Sequence, residues 1–188
     1  MNTPTAPAVP GGHFDLIDHH GNPVTPDRYR GRSLLVFFGF THCADVCPRV
    51  LGRNTEALAL LGTDADRFAP LYITVDPDRD TPEVMRRYLE GSHPRYTGLT
   101  GSPDQVRAAM AAYRVFARRV DDGPDDYRMP HTSFTYLLDE EGGYVTYFTE
   151  TLTGRDLAAR LTDYVTGRKV PAAVAGAEAP TTRGSCCS

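Results

Sequence analysis

The chain has 188 residues and a formal net charge of -4, with a sequence pI of about 5.8. This length fits one domain with a sizeable hydrophobic core, and the acidic balance argues against a nucleic-acid surface as its main function. No stretch has the roughly 20 consecutive apolar residues that cross a membrane, and the N-terminus shows no basic patch followed by an apolar core. We therefore expect a cytoplasmic protein, or one whose export segment lies outside this sequence.

The composition divides the chain into three predicted regions. Residues 1–12 form a leader rich in Pro, Thr and Ala, and residues 167–188 form a tail rich in Ala, Pro, Gly and Thr. Such compositions lack the apolar side chains needed to build a core, so we expect both ends to be disordered. The folded domain is predicted over residues 13–166.

The domain begins with a weakly alternating stretch over residues 13–17 and a turn over residues 19–23, which together favour a short hairpin. Three histidines lie here, His13, His19 and His20. They allow a metal-site hypothesis, but we favour the interpretation that they are polar residues around the hairpin. Residues 26–29 then predict one helical turn.

The next stretch organises the rest of the chain. Residues 34–38 are apolar and aromatic, which is typical of a strand buried on both faces. Gly39 ends the run, and Cys43 and Cys47 follow it. Pro48 suits the first turn of a helix because its missing N–H is not needed there. The sequence therefore predicts a strand, a short loop and a helix, with two thiols at the helix N-terminus.

That position favours a working pair of thiols. Unpaired N–H groups and the positive end of the helix dipole stabilise the thiolate, which is the form that binds metals and attacks disulfides. On a helical turn, residues at i and i+4 have Cβ atoms about 5–6 Å apart, so both sulfurs can reach one metal ion. With modest movement they can instead form a disulfide, which needs Cβ atoms roughly 3.5–4.5 Å apart. Two buried structural cysteines are a less favoured alternative.

A second apolar strand is predicted over residues 68–75. Thr81 as an N-cap and Pro82 as the first helical residue predict a helix that ends near Leu89. The aspartates between strand and helix, over residues 76–80, lack the central glycine and terminal glutamate of a calcium loop. We interpret them as turn residues at a helix N-terminus, where negative charge is favourable.

The later elements complete the fold prediction. They are, in order, a helix over residues 103–113 introduced by Ser102 and Gln105, a strand over residues 115–120, an acidic loop over residues 121–128, a hairpin with strands over residues 132–138 and 144–148, and a last helix after Thr153. The early strand–helix–strand unit requires parallel pairing and the late hairpin requires antiparallel pairing. We predict an α/β fold: a thioredoxin-like mixed sheet flanked by helices in a single domain.

His131 is the third candidate ligand. It directly precedes the strand predicted over residues 132–138. In a thioredoxin-like sheet this strand lies beside the thiol strand, so its start would face Cys43 and Cys47. Two thiolates and one imidazole suit copper and also zinc, and the spacing does not separate these metals. The alternative is a histidine that is simply hydrogen-bonded within a loop.

Three stretches carry a resemblance to a known family. Residues 38–48 resemble a thiol motif in which proline usually stands in place of Ala44, and residues 74–82 resemble the second block of the same family. His131-Thr132, followed by a strand and a turn, resembles the block that supplies a ligand histidine, where aspartate usually stands in place of Pro130. With these motifs in this order over about residues 13–166, the chain is identified as resembling the Sco/SenC family of copper chaperones.

The resemblance implies a copper ion as the bound metal, with Cys43, Cys47 and His131 as its ligands. It also implies service in assembling the dicopper site of cytochrome c oxidase, with the oxidase copper subunit or another copper or thiol protein as partner. A thiol–disulfide oxidoreductase that uses Cys43 and Cys47 catalytically is the alternative. The tail pair Cys186 and Cys187 is either a second set of soft ligands or incidental, and we favour the latter.

Overall fold

The computed structural model describes residues 11–123, 126–168 and 170. Short 3₁₀ turns cover Pro26–Tyr29 and Gly62–Arg67. The strands and α-helices of the described residues are β1 (Leu16–Asp18), β2 (Pro23–Val24), β3 (Ser33–Gly39), α1 (Val46–Leu60), β4 (Phe68–Thr74), α2 (Pro82–Glu90), β5 (Thr97–Thr100), α3 (Pro103–Ala112), β6 (Val120–Asp121), β7 (Tyr127–Arg128), β8 (Thr135–Leu138), β9 (Tyr144–Phe148) and α4 (Gly154–Val165).

Strand β3 lies inside a seven-stranded mixed sheet of order β2-β1-β5-β4-β3-β8-β9. It pairs in parallel with β4, so Gly39 and Thr74 are neighbours where both strands end. On its other side it pairs antiparallel with β8, with Phe37 opposite Thr135, the first residue of β8. The ends of β3 and β4 and the start of β8 therefore meet at one edge of the sheet. The predicted thioredoxin-like mixed sheet in one domain is confirmed.

Buried side chains pack against both faces of the sheet. All seven residues of β3 are buried, which agrees with the apolar run in the sequence. One buried cluster joins β3 to side chains of α1, α2 and α3, and it includes Cys43 and Cys47. A second cluster joins Leu35 of the same strand to α1 and α4. The two cysteines thus belong to the larger core rather than to an exposed loop.

Three helices begin where the sequence predicts. The Thr81 hydroxyl accepts a backbone N–H at the start of α2. Ser102 with Gln105, and Thr153 with Asp156, form capping boxes at the starts of α3 and α4. Each cap satisfies N–H groups that have no partner within the helix, which fixes where the helix begins.

Strand β5 was not predicted, because its four residues are too few to show a periodic pattern. Its Gly98 has a packing role: a Cβ there would lie 2.8 Å from the Leu89 side chain and 3.1 Å from the end of Met85. The glycine therefore lets α2 approach the sheet closely.

The strand predicted over residues 115–120 is largely wrong. Only Ala117 forms an isolated bridge, to His131, and the two-residue β6 pairs with β7 in a separate small hairpin. Pro130 has no N–H to donate, so a regular ladder cannot form here. Two backbone bonds remain, Arg118 N to Pro130 O and Thr132 N to Phe116 O. The strand predicted over residues 132–138 likewise starts later, at Thr135.

The predicted leader and tail fall almost entirely outside the described residues, as do Cys186 and Cys187. Within the described ranges, the helices are too short or too polar to span a bilayer.

Candidate metal centre

Cys43 and Cys47 lie where the chain passes from β3 into α1. Cys47 is the second residue of α1, whereas Cys43 precedes the helix, so the two do not share a helical turn. Instead, the backbone N–H of Cys47 donates to the Cys43 sulfur, with an N···S distance of 3.4 Å. The Cys43 sulfur thus takes the place of a capping oxygen at the helix N-terminus.

This geometry makes the two thiols unequal. The side chain of Cys47 donates to the Cys43 sulfur, and with the backbone N–H groups of residues 45–47 it lowers the pKa of Cys43 to about 5. The same interaction, together with burial, raises the pKa of Cys47. At neutral pH, Cys43 is a thiolate and Cys47 is its protonated partner.

His131 completes the group from across the sheet edge. Its Nε2 lies 3.8 Å from the Cys47 sulfur, and its Nδ1 lies 2.9 Å from the Met129 carbonyl oxygen. Because a carbonyl only accepts, Nδ1 must carry the proton, which leaves the Nε2 lone pair facing Cys47. Burial lowers the pKa of His131, so the ring is neutral at pH 7. A neutral imidazole held by a backbone carbonyl is the form that ligates metals.

Asp80 holds the cysteine loop in place. This fully buried carboxylate accepts from the Thr41 backbone N–H at 3.0 Å, from the Thr41 hydroxyl at 2.6 Å and from the Thr74 hydroxyl at 2.7 Å. It therefore joins the loop that carries Cys43 to the end of β4. Burial raises the pKa of Asp80, and these donors oppose that rise. The sequence predicted only turn residues here, because Thr41 lies 39 residues away from Asp80 in the chain.

Arg79 holds the segment that carries His131. Its guanidinium lies 3.6 Å from the centre of the Tyr127 ring and donates to the Tyr127 carbonyl at 3.0 Å and to Asp76 at 2.6 Å. The Tyr127 hydroxyl donates to the same Asp76 carboxylate at 2.7 Å. The β6–β7 hairpin is thereby bound to the turn after β4. Its residue Tyr127 lies four residues before His131.

The predicted ligands meet in pairs, Cys43 with Cys47 and Cys47 with His131. They do not form a preformed three-ligand site. Across the described residues, no set of three or more His, Cys, Asp and Glu side chains has a spacing that could hold a metal ion. His19 does not join them, since its Nδ1 accepts from the Gly98 N–H at 2.8 Å. Two thiols and one imidazole are nevertheless the ligand types that suit a monovalent copper ion, which tolerates low coordination.

The low pKa of Cys43 is testable without metal. We expect the ultraviolet absorbance of one thiolate to appear with a midpoint near pH 5 in reduced protein, well below the roughly 8.5 of a free cysteine. Cys43→Ser should abolish this low-pH step, while Ser185→Ala in the tail serves as a matched control. A midpoint that stays near 8.5 would contradict the capping arrangement.

Comparisons with known proteins show which family the chain belongs to. A model of the SCO1/SenC family matches residues 2–166. The protein named sco1 of Schizosaccharomyces pombe is 39% identical over 163 residues, which cover 85% of this chain and 62% of that protein. A SCO2-like protein of Rickettsia felis is 41% identical over 140 residues, which cover 73% of this chain and 68% of that protein. The chain thus spans less than two thirds of the length of the first relative.

Solved structures extend the match to three dimensions. The structure of Bradyrhizobium japonicum ScoI with copper bound has a TM-score of 0.77 and 41% identity, covering 83% of this chain and 99% of that one. Yeast Sco1 with copper bound has a TM-score of 0.79 and 35% identity, covering 87% and 92%. The resemblance seen in the motifs is confirmed, and the chain belongs to the SCO1/SenC family.

Proposed function

We propose that this protein is a copper chaperone that holds one copper ion through Cys43, Cys47 and His131. The observation that carries the proposal is the buried contact between the Cys47 sulfur and the unprotonated Nε2 of His131, beside the Cys43 thiolate. Sulfur with imidazole favours copper or zinc. The copper-bound structures of two similar proteins favour copper.

The three residues contribute differently to uptake. Cys43 supplies a thiolate at neutral pH without losing a proton. Cys47 must release its proton as the metal arrives, which makes uptake pH-dependent. His131 is already neutral and oriented by the Met129 carbonyl. The neighbouring Ala44 and Pro48 are exposed, so the site lies just beneath the surface, where a partner protein can exchange the ion.

We further propose that the acceptor is the copper subunit of cytochrome c oxidase, the partner that the family resemblance implies. Relatives in budding yeast and mouse are named mitochondrial proteins. A dithiol that cycles with a disulfide suits a compartment where disulfides form, so we propose that the protein acts at the periplasmic face of the membrane.

A second candidate function is thiol–disulfide exchange, which the unequal thiols favour. The Cys43 thiolate would attack a substrate disulfide and form a mixed disulfide, releasing one substrate thiolate. Cys47 would then lose its proton and attack Cys43, forming the internal disulfide and releasing the second substrate thiolate. Both functions use the same pair, but only the chaperone function requires His131 as a ligand.

Replacement of the cysteines tests the copper site. The work is done in a Cys186→Ser/Cys187→Ser background, so that the tail thiols do not bind the ion. We expect this background protein to bind one Cu(I) per chain. Cys43→Ala or Cys47→Ala should weaken binding by more than the roughly 10–100-fold that losing an outer hydrogen-bonding partner costs. The measurement is an anaerobic competition titration against a chromophoric Cu(I) chelator.

The same titration, together with an assay of disulfide reduction, separates the two functions. Tight binding by the Cys43→Ala/Cys47→Ala double variant would contradict the site assignment. A background protein that fails to bind Cu(I) but reduces a disulfide substrate would replace the chaperone proposal with the oxidoreductase.

His131 should decide how well the oxidised ion is held. Two thiolates satisfy Cu(I), whereas Cu(II) prefers additional nitrogen or oxygen ligands. We therefore expect His131→Ala to retain Cu(I) but to lose most Cu(II) binding, while the exposed His20→Ala behaves as wild type. Paired titrations with the two oxidation states measure this. An unchanged Cu(II) affinity and spectrum in His131→Ala would remove His131 from the ligand set.

A further inference from the structure

Gly39 leaves a gap at the end of β3 that two polar atoms fill. A Cβ built on Gly39 would lie 2.7 Å from the Cys47 sulfur and 2.8 Å from the Tyr72 hydroxyl oxygen. These distances are far inside ordinary contact, so any larger residue would displace one of the two atoms. The absence of a side chain therefore allows the sulfur and the hydroxyl to converge on the same spot.

Tyr72 is an unusual neighbour for a metal ligand. It is fully buried on β4, and within the described part of the chain its hydroxyl has no hydrogen-bond partner. A tyrosine hydroxyl loses its proton only at about pH 10, so it is an O–H donor at physiological pH. A buried hydroxyl without a partner costs free energy and calls for an explanation.

Tyr113 differs from Tyr72 in the residues that surround it. Tyr113 is also fully buried and its hydroxyl also lacks a partner, but its ring packs on Phe38 and Tyr136. Tyr72 instead packs between Phe37 and Tyr88, with its hydroxyl over Gly39 beside Cys47. Of these two unsatisfied donors, Tyr72 is the one placed against a sulfur atom.

We propose that Tyr72 is a positioning residue for the copper site, whose O–H donates a hydrogen bond to the Cys47 sulfur once that sulfur is a thiolate. The inference rests on the proposed function, because copper binding is what deprotonates Cys47. A protonated thiol is a weak acceptor, whereas a hydrogen bond to an ionised group is shorter and about twice as strong as a neutral one. The hydroxyl that is unsatisfied in the metal-free protein is therefore satisfied in the loaded protein.

The hydrogen bond has two consequences for the bound ion. It fixes the Cys47 sulfur at the end of β3, which lowers the cost of assembling the site on binding. It also withdraws electron density from the sulfur, and hydrogen bonding around a cysteine ligand is one means by which proteins set a copper reduction potential. A sulfur that donates less charge favours Cu(I) over Cu(II).

Tyr72→Phe tests this, since it removes one oxygen atom and keeps the ring. Tyr113→Phe is the matched control, because it deletes an equally buried and equally unpartnered hydroxyl away from sulfur. Both variants are made in the Cys186→Ser/Cys187→Ser background, and thermal unfolding verifies that each is folded. The probes are Cu(I) in a chelator competition and Cu(II) followed by its thiolate-to-copper absorption band.

For Tyr72→Phe we expect Cu(I) affinity to fall by roughly tenfold or more, the usual scale for losing an outer partner of a ligand. We also expect the absorption band to move to lower energy, because electrons on the sulfur are no longer stabilised. Tyr113→Phe should change neither. Wild-type affinity and spectrum in Tyr72→Phe, or equal changes in both variants, would overturn the inference and leave the copper site itself standing. A background protein that binds no copper would instead overturn the proposed function.

Discussion

The contact between the Cys47 sulfur and the His131 ring is the interaction on which the account of this protein depends. The two residues are distant in sequence, and the sheet brings them together. Cys47 enters the site from the start of α1, directly after β3, and His131 enters just before β8, the antiparallel neighbour of β3. Because β8 pairs with β3, a change of register between these two strands would separate the Cys47 sulfur from the His131 imidazole.

The block between β4 and α2 supports this contact from two directions. Asp80 binds the loop that carries Cys43 through Thr41, and Arg79 binds the β6–β7 hairpin, which precedes His131, through Tyr127. Adjacent residues thus fasten the two halves of the site to one turn. Buried carboxylates are costly without donors, so Asp80 also makes the loop conformation specific. The site is therefore held by the second motif although that motif supplies no proposed ligand.

The sequence predicted those features that have a local physical signature. The buried β3, the caps at Thr81 and Ser102 and the late hairpin all follow from short-range patterns, and each is found. Strand β5 has too few residues to show a periodic pattern, and the irregular pairing around His131 depends on contacts with Phe116 and Arg118 that have no local signature. Contacts with residues distant in the chain also give Asp80 and the Tyr72 hydroxyl their roles, since Asp80 binds Thr41 and the hydroxyl lies beside Cys47. His131 was found because fold topology and family resemblance both pointed to it.

X-ray absorption spectroscopy of the Cu(I)-loaded protein, with Cys186 and Cys187 replaced by serine, tests the central claim most directly. The account predicts a first shell of two sulfur atoms and one nitrogen, with the outer-shell scattering of a single imidazole ring. A first shell made only of nitrogen and oxygen, or one without imidazole scattering, would contradict the proposed site of Cys43, Cys47 and His131.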